Sequence, residues 1–98
     1  MAGFRVSKAA QADIREIGRY TQQQWGKDQR RVYLGELNDR LQLLANTPML
    51  AAERQTLDPP ARIHPYEKHL IVYVIEDGGI LIVRVLHQSM DVPAQLSH

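Results

Sequence analysis

Residues 68–87 constrain the fold most, because they contain two β-rich runs on either side of a glycine turn. Val, Ile and Tyr fit a pleated sheet, and Asp-Gly and Gly-Gly tolerate the positive φ angles that a tight hairpin needs. A turn centred on Asp77-Gly78 pairs Ile75 with Ile80, and a turn centred on Gly78-Gly79 pairs Ile75 with Ile82. Both alternatives predict a β-hairpin with the same side chains on each face, because strand side chains alternate with period two.

The two faces of this hairpin differ in composition. One face is entirely aliphatic and must be covered by another part of the chain; it consists of Leu70, Val72, Val74, Leu81, Val83 and Val85. The other face mixes aliphatic residues with a histidine, a tyrosine and an arginine; it consists of His69, Ile71, Tyr73, Ile75, Ile80, Ile82, Arg84 and Leu86. We expect this second face, called the open face below, to be covered only by a partner.

A first helix is predicted between Ser7, a suitable N-cap, and Gly26, a suitable C-terminal cap. Its apolar stripe consists of Ala10, Ile14, Ile17, Thr21 and Trp25. We expect Trp25 to pack in the core, since large aromatic residues at helical spacing usually do. Asp13 and Glu16 are interpreted as partners of the positive end of the helix dipole.

A second helix is predicted to begin near Lys27 or Asp28 and to stop at Asn46-Thr47-Pro48. Its stripe consists of Tyr33, Leu37, Leu41 and Leu44. Gly35 lowers the helix propensity, so a neighbouring backbone is expected to approach closely there. The short connection between the two helices predicts an antiparallel hairpin, whose apolar stripe would cover the aliphatic face of the sheet.

Short strands complete the predicted fold. Residues 4–6 form a first strand, expected to lie parallel to the last strand, and residues 61–66 form another near a break or an edge, because Pro65 cannot donate to a ladder. Residues 49–60 lack periodicity and are predicted as loop. The order β-α-α-β-β-β predicts a single domain over residues 1–98, a two-layer α+β fold with the N-terminal strand and helical hairpin packed on a mostly antiparallel sheet.

The composition excludes several functional classes. The 98 residues include no cysteine, which excludes disulfides and thiolate metal sites and fits a reducing compartment. The net charge of +1 lowers the expectation of autonomous nucleic-acid binding. No apolar run approaches the roughly 20 residues that span a bilayer, and no signal-peptide core follows the N-terminus. We therefore expect a cytoplasmic protein without membrane association.

Motifs in a fixed order resemble the ParE branch of the ParE/RelE toxin superfamily. The matching residues are Asp13-Ile14, Ile17, Tyr20-Thr21, Trp25-Gly26, Gln29, Tyr33, 44–48, Arg62, Tyr66, 69–73 and 83–91. The ending Leu86-His87-Gln88-Ser89-Met90-Asp91 is the most specific part. One departure is visible: many ParE-like chains carry Gly-Arg just after the proline that ends the second helix, and here residues 49–54 lack that glycine. The position of Arg54 relative to the family's arginine is therefore open.

The resemblance implies a toxin of a type II toxin–antitoxin pair that inhibits DNA gyrase without catalysis or a cofactor. Its partner would be a ParD-like antitoxin, a small and often dimeric DNA-binding protein, and operator DNA would be contacted only through that antitoxin. The antitoxin is expected on the open face, at Ile71, Tyr73, Ile75, Ile80, Ile82, Arg84 and Leu86. For Arg84 we expect a charge-assisted contact to the antitoxin. The candidate target-binding residues are His69, His87, Met90 and Asp91.

Two other functional classes stay open at this point. The RelE branch cleaves messenger RNA on the ribosome, which needs general acids, general bases and cations. Residues of those types are Arg62, His64, Tyr73, Arg84 and His87. A plain binding module would share the open face but lack a toxic target. The near-neutral charge and the ParE-like ending favour the gyrase inhibitor.

No metal site is expected among the histidines. The chain has no H-x-x-H or H-E-x-x-H spacing on a helix. Strand parity also places His69 on the open face and His87 on the aliphatic face, so the two imidazoles should not converge.

Overall fold

The computed structural model describes residues 3–96. Its elements are β1 (Gly3–Val6), α1 (Lys8–Trp25), α2 (Lys27–Asn46), a 3-10 turn (Pro48–Leu50), β2 (Glu53–Arg54), β3 (Ala61–Tyr66), β4 (His69–Glu76), β5 (Gly79–His87) and α3 (Val92–Leu96). The strands form one sheet in the order β1-β5-β4-β3-β2, in which β1 is parallel to β5 and the other pairs are antiparallel. This confirms the predicted α+β fold. The prediction of an irregular loop over residues 49–60 was wrong in part, because this segment contains most of the 3-10 turn and the short strand β2.

The boundaries of α1 follow from its capping residues. The Ser7 hydroxyl oxygen accepts a hydrogen bond from the Ala10 N–H at 3.0 Å and donates to the Val83 carbonyl at 2.7 Å, so the cap also ties the helix to the sheet. Gly26 has a φ of +94°, which only glycine adopts without strain, and α2 begins directly after it. The predicted helical hairpin is therefore confirmed.

The hairpin between β4 and β5 turns at Asp77-Gly78, where Gly78 has a φ of +80°. Ile75 pairs with Ile80, the first of the two predicted registers. Farther from the turn the register shifts: Tyr73 pairs with Ile82, whereas Val72 pairs with Arg84. The β5 strand thus contains one extra residue, Val83. Such a β-bulge reverses the facing of every later side chain relative to the partner strand.

The helices cover the opposite face from the one predicted. Ile71, Tyr73, Ile80 and Ile82 are fully buried in the main core, together with residues of α1 and α2 such as Leu44. The prediction that these four residues form an open surface was wrong. Two polar side chains on that face have partners within the chain: His69 is hydrogen-bonded to Tyr33 of α2, and Tyr73 donates to the Pro48 carbonyl of the 3-10 turn.

The predicted aliphatic face carries a smaller core. Val72 and Leu86 are buried there under Leu57, Ala61 and Val92, and Leu70, Val74 and Val83 are partly buried beside them. Beyond the bulge, Val85 joins the main core and Leu86 the smaller one, the reverse of the predicted assignment.

Two glycines have opposite surroundings. A Cβ on Gly79 would overlap the carbonyl oxygen of Gly3, so glycine is required where β1 approaches β5. A Cβ on Gly35 would meet nothing within 4 Å, so the close approach predicted there was wrong. No helix between residues 3 and 96 is long and apolar enough to cross a bilayer.

Candidate functional site

A groove of about 980 Å³ lies along one side of the helical hairpin. Tyr20 and Trp25 of α1 and Tyr33 of α2 line it on the helical side, and His69 and His87 line it on the sheet side. The remaining lining residues are Asp13, Glu16, Ile17, Thr21, Gln29, Glu67, Lys68, Val85 and Met90. The groove therefore combines large aromatic and apolar side chains with charged and polar ones.

Large apolar side chains are exposed along this groove. Trp25 is 71% exposed, Tyr20 is 63% exposed and Met90 is 46% exposed. The prediction that Trp25 packs in the core was wrong, because Thr21 is the last buried residue of α1 and Trp25 lies one turn farther along. Several such side chains around one groove mark an interaction surface.

Two imidazoles in contact line the groove on its sheet side. The rings of His69 and His87 have centroids 5.7 Å apart and meet edge-on at 84°. His69 Nδ1 is hydrogen-bonded to the Tyr33 hydroxyl at 2.9 Å. His87 Nδ1 accepts from the backbone N–H of Ser89 at 3.1 Å and lies 2.8 Å from the Ser89 hydroxyl. The expectation that these histidines lie on opposite faces was wrong, because the bulge at Val83 turns His87 onto the face of His69.

Tyr33 and His69 are held in their neutral forms. Burial, and secondarily the His87 imidazole, lowers the pKa of His69. Burial raises the pKa of Tyr33 to about 12. At neutral pH the pair is therefore an uncharged phenol hydrogen-bonded to an uncharged imidazole.

Arg84 forms an ion pair with Asp13 within the chain. Its Nε and Nη2 donate to the two carboxylate oxygens of Asp13 at 2.8 and 2.9 Å, and Asp13 Oδ2 also accepts from the Val85 N–H at 2.9 Å. Arg84 is therefore not the exposed side chain that was expected, and its contact with an antitoxin stays a prediction. The helix-dipole role of Asp13 was wrong, because no acidic residue lies in the first turn of α1. Glu16 instead pairs with Arg19 at 2.8 Å. Asp13 lies between Ala10 and Ile17 on the buried side of α1. A carboxylate at such a position indicates a positively charged partner inside the fold, because buried charges are usually paired.

The residues considered for RNA cleavage do not form one cluster. The Tyr73 hydroxyl donates to the Pro48 carbonyl at 2.8 Å, and Arg62 donates to the Ala51 carbonyl. His64 Nε2 lies 2.9 Å from an Arg40 nitrogen, and burial followed by Arg40 lowers its pKa. With Arg84 on Asp13, each of these four side chains ties the sheet to a helix or to the 3-10 turn. Of the five residues considered for RNA cleavage, only His87 lines the groove in the described part of the chain, residues 3–96.

The predicted binding residues separate into two groups. Ile71, Tyr73, Ile80, Ile82 and Leu86 are buried, and Ile75 is 45% exposed next to the hairpin turn. His69, His87 and Met90 come together in the groove, and Asp91 is exposed beside Met90. The groove residues Tyr20, Trp25 and Tyr33 belong to the resembling motifs, but none of them was among the predicted binding residues.

Comparison with known proteins gives a consistent family. A family model described as the ParE toxin of the type II toxin–antitoxin system parDE matches residues 4–92. Toxin ParE1 of Mycobacterium tuberculosis is 37% identical over 94 residues, which cover 95% of this chain and 96% of that protein. Toxin ParE1 of Caulobacter vibrioides is 32% identical over 96 residues, covering 98% and 99%. Toxin ParE of Escherichia coli is 31% identical over 98 residues, covering 99% and 95%.

A solved structure supports the fold assignment. A chain described as the chromosomal ParDE TA system from P. aeruginosa superimposes with a TM-score of 0.74, covering 89% of this chain and 96% of that one. At 17% identity, this similarity shows a shared fold. Together with the match over residues 4–92, the comparisons show that this chain belongs to the ParE toxin family of type II toxin–antitoxin systems.

Proposed function

We propose that this ParE-family toxin arrests growth by poisoning DNA gyrase, and that a ParD-like antitoxin neutralises it by direct binding. The observation that carries the proposal is the family match over residues 4–92, nearly the whole chain. No cofactor enters the proposal, and operator DNA is contacted through the antitoxin alone.

The groove supports antitoxin binding at a different surface from the open face of the hairpin. Tyr and Trp dominate binding energy at protein interfaces, and Trp25 and Tyr20 are available there without unfolding any part of the chain. The hairpin residues Ile71, Ile80 and Ile82 are fully buried, so a partner cannot contact them on the folded chain. We therefore place the antitoxin on Tyr20, Trp25 and Met90.

The positions of the polar residues support a toxin without catalysis. Cleavage of RNA needs a base, an acid and cations within hydrogen-bond reach of one phosphate. Here Arg62, Tyr73 and Arg84 are each bonded within the fold, at the 3-10 turn or at Asp13. The phenol of Tyr33, with a pKa of about 12, is a poor proton donor or acceptor at neutral pH.

Induction of the chain in growing cells tests the target. Gyrase poisoning should trigger the DNA-damage response while translation initially continues, and co-expression of the antitoxin should restore growth. A ribosome-dependent nuclease would instead stop translation first and leave new 5′ ends within codons. That second outcome would overturn the proposed target.

A matched pair of variants tests the antitoxin surface. Trp25→Ala should weaken antitoxin binding by about tenfold or more, the scale of an interface hot spot. Met49→Ala is the control, because Met49 is also 71% exposed but does not line the groove. Equal effects of the two substitutions in a binding titration would contradict the placement of the antitoxin in the groove.

A further inference from the structure

His69 and His87 lie side by side in the groove, with ring centroids 5.7 Å apart. We propose that His69 and His87 form a binding site for a late first-row divalent metal ion, with Zn²⁺ as the probe. The proposal does not depend on gyrase being the target.

The strand register brings the two side chains together. His69 and His87 are directly opposite each other on β4 and β5. The neighbouring residues Lys68 and Gln88 share a backbone hydrogen bond of 2.8 Å, so the histidines occupy the non-hydrogen-bonded position, where cross-strand side chains are closest. An ion about 2.0–2.1 Å from one nitrogen of each ring fits between rings whose centroids are 5.7 Å apart.

Existing hydrogen bonds leave the same nitrogen of each ring available. The Nδ1 atoms bind the Tyr33 hydroxyl and Ser89, and within residues 3–96 neither Nε2 atom has a hydrogen-bond partner. A metal-binding histidine donates its second ring N–H to an oxygen atom. The tautomer of His87 that binds an ion through Nε2 therefore donates its Nδ1–H to the Ser89 hydroxyl oxygen, 2.8 Å away, and no longer accepts from the Ser89 backbone N–H. His87 is exposed, and the χ2 torsion of histidine is soft, so its edge-on ring can turn its Nε2 toward His69.

The ligand chemistry selects the kind of ion. Two imidazoles without a thiolate suit Zn²⁺, Ni²⁺ or Cu²⁺ and do not suit Mg²⁺ or Ca²⁺, which take oxygen ligands. No group of three or more His, Cys, Asp or Glu side chains between residues 3 and 96 could hold an ion. The two histidines are therefore the only protein ligands that the proposal assigns to the ion. The sequence argument against a metal site rested on the absence of cysteine, on the absence of H-x-x-H and H-E-x-x-H spacings, and on the strand parity of the two rings. The bulge removes only the last of these grounds.

Calorimetric titration of the untagged full chain with ZnCl₂ tests the site. We expect one saturable ion per chain and a rise in melting temperature, and no binding of Mg²⁺ in the same range. His87→Gln should weaken Zn²⁺ binding by at least about 100-fold, and Tyr33→Phe, which removes the orienting bond to His69, by about tenfold. His64→Gln is the control and should stay within about twofold, because His64 bonds to Arg40 away from the groove.

NMR separates the proposed ligands from other histidines. The imidazole nitrogen signals of His69 and His87 should shift with Zn²⁺ while that of His64 stays in place. Circular dichroism should show that His87→Gln folds without metal, since His87 is exposed. Absence of saturable binding, or equal binding by the chain and its His87→Gln variant, would overturn the proposal.

Discussion

Replacing Asp13 by alanine should destabilise the fold far more than an exposed ion pair would suggest. The substitution removes two charge-assisted bonds to Arg84 and the acceptor of the Val85 N–H. The Asp13 and Arg84 side chains are only 15% and 21% exposed. The arginine left behind is therefore largely desolvated and has no counter-charge, and it keeps only a 3.4 Å bond to the Gln95 carbonyl. Breaking a fully buried pair costs about 3–5 kcal/mol, and an exposed pair contributes about 0.2–1 kcal/mol.

We expect a loss of about 3 kcal/mol for Asp13→Ala, at the lower end of the buried range because some exposure remains. For a domain of this size that loss corresponds to a decrease in melting temperature of about 12–24 °C. Thermal and urea unfolding of the purified chain measure it. The double variant with Arg84→Ala should cost less than the sum of the single substitutions, because each single change leaves one charge unpaired.

The pair between Arg5 and Glu76 provides the control. It has the same two-bond geometry, at 2.7 and 2.8 Å, but the Arg5 side chain is 70% exposed. Arg5→Ala should therefore change the melting temperature little, since solvent screens the pair. A decrease for Asp13→Ala no larger than that for Arg5→Ala would refute the reasoning from burial.

Three further predictions follow from the packing and charge of other residues. Gly35→Ala should raise the free energy of unfolding by about 0.5–1 kcal/mol, and Gly79→Ala should lower it because a Cβ there overlaps Gly3; urea denaturation measures both. Tyr73→Phe should lower stability by about 1–2 kcal/mol through the lost bond to Pro48, yet keep toxicity at equal protein level in a growth assay. Burial and Arg40 lower the pKa of His64, so its contribution to stability is present above the unfolded-state pKa of about 6.5 and is lost as the pH falls toward the folded-state pKa. The melting temperature, measured from pH 8 to pH 5, should therefore fall less for His64→Gln than for the unsubstituted chain.

The boundaries of the elements could be predicted because single residues carry their signals. Ser7 caps α1, Gly26 separates the helices and a glycine-containing turn within residues 77–79 connects the hairpin strands, each for a local steric or hydrogen-bonding reason. Which two residues form the centre of that turn was left open by the sequence. The face on which the helices pack could not be predicted in the same way. Both faces of the hairpin are apolar, and the polar residues that seemed to mark an open surface, Tyr73 and Arg84, reach partners within the fold.

The groove escaped prediction for a related reason. Assigning alternate residues to opposite faces of a strand assumes that the pairing of β4 with β5 is uninterrupted. No glycine or other local signal in the sequence marks the bulge at Val83. One extra residue was enough to bring His87 beside His69. The exposure of Trp25 depends on how far α1 extends past its last buried contact at Thr21, which is a property of the assembled fold.

A supercoiling and cleavage assay with purified gyrase and the purified chain tests the central claim most directly. The account predicts that the chain inhibits supercoiling and traps cleaved DNA, that the cognate antitoxin prevents both effects, and that Tyr73→Phe retains them once corrected for folded fraction. Unchanged gyrase activity at saturating chain, together with codon-phased cleavage of messenger RNA on purified ribosomes by the same preparation, would contradict it.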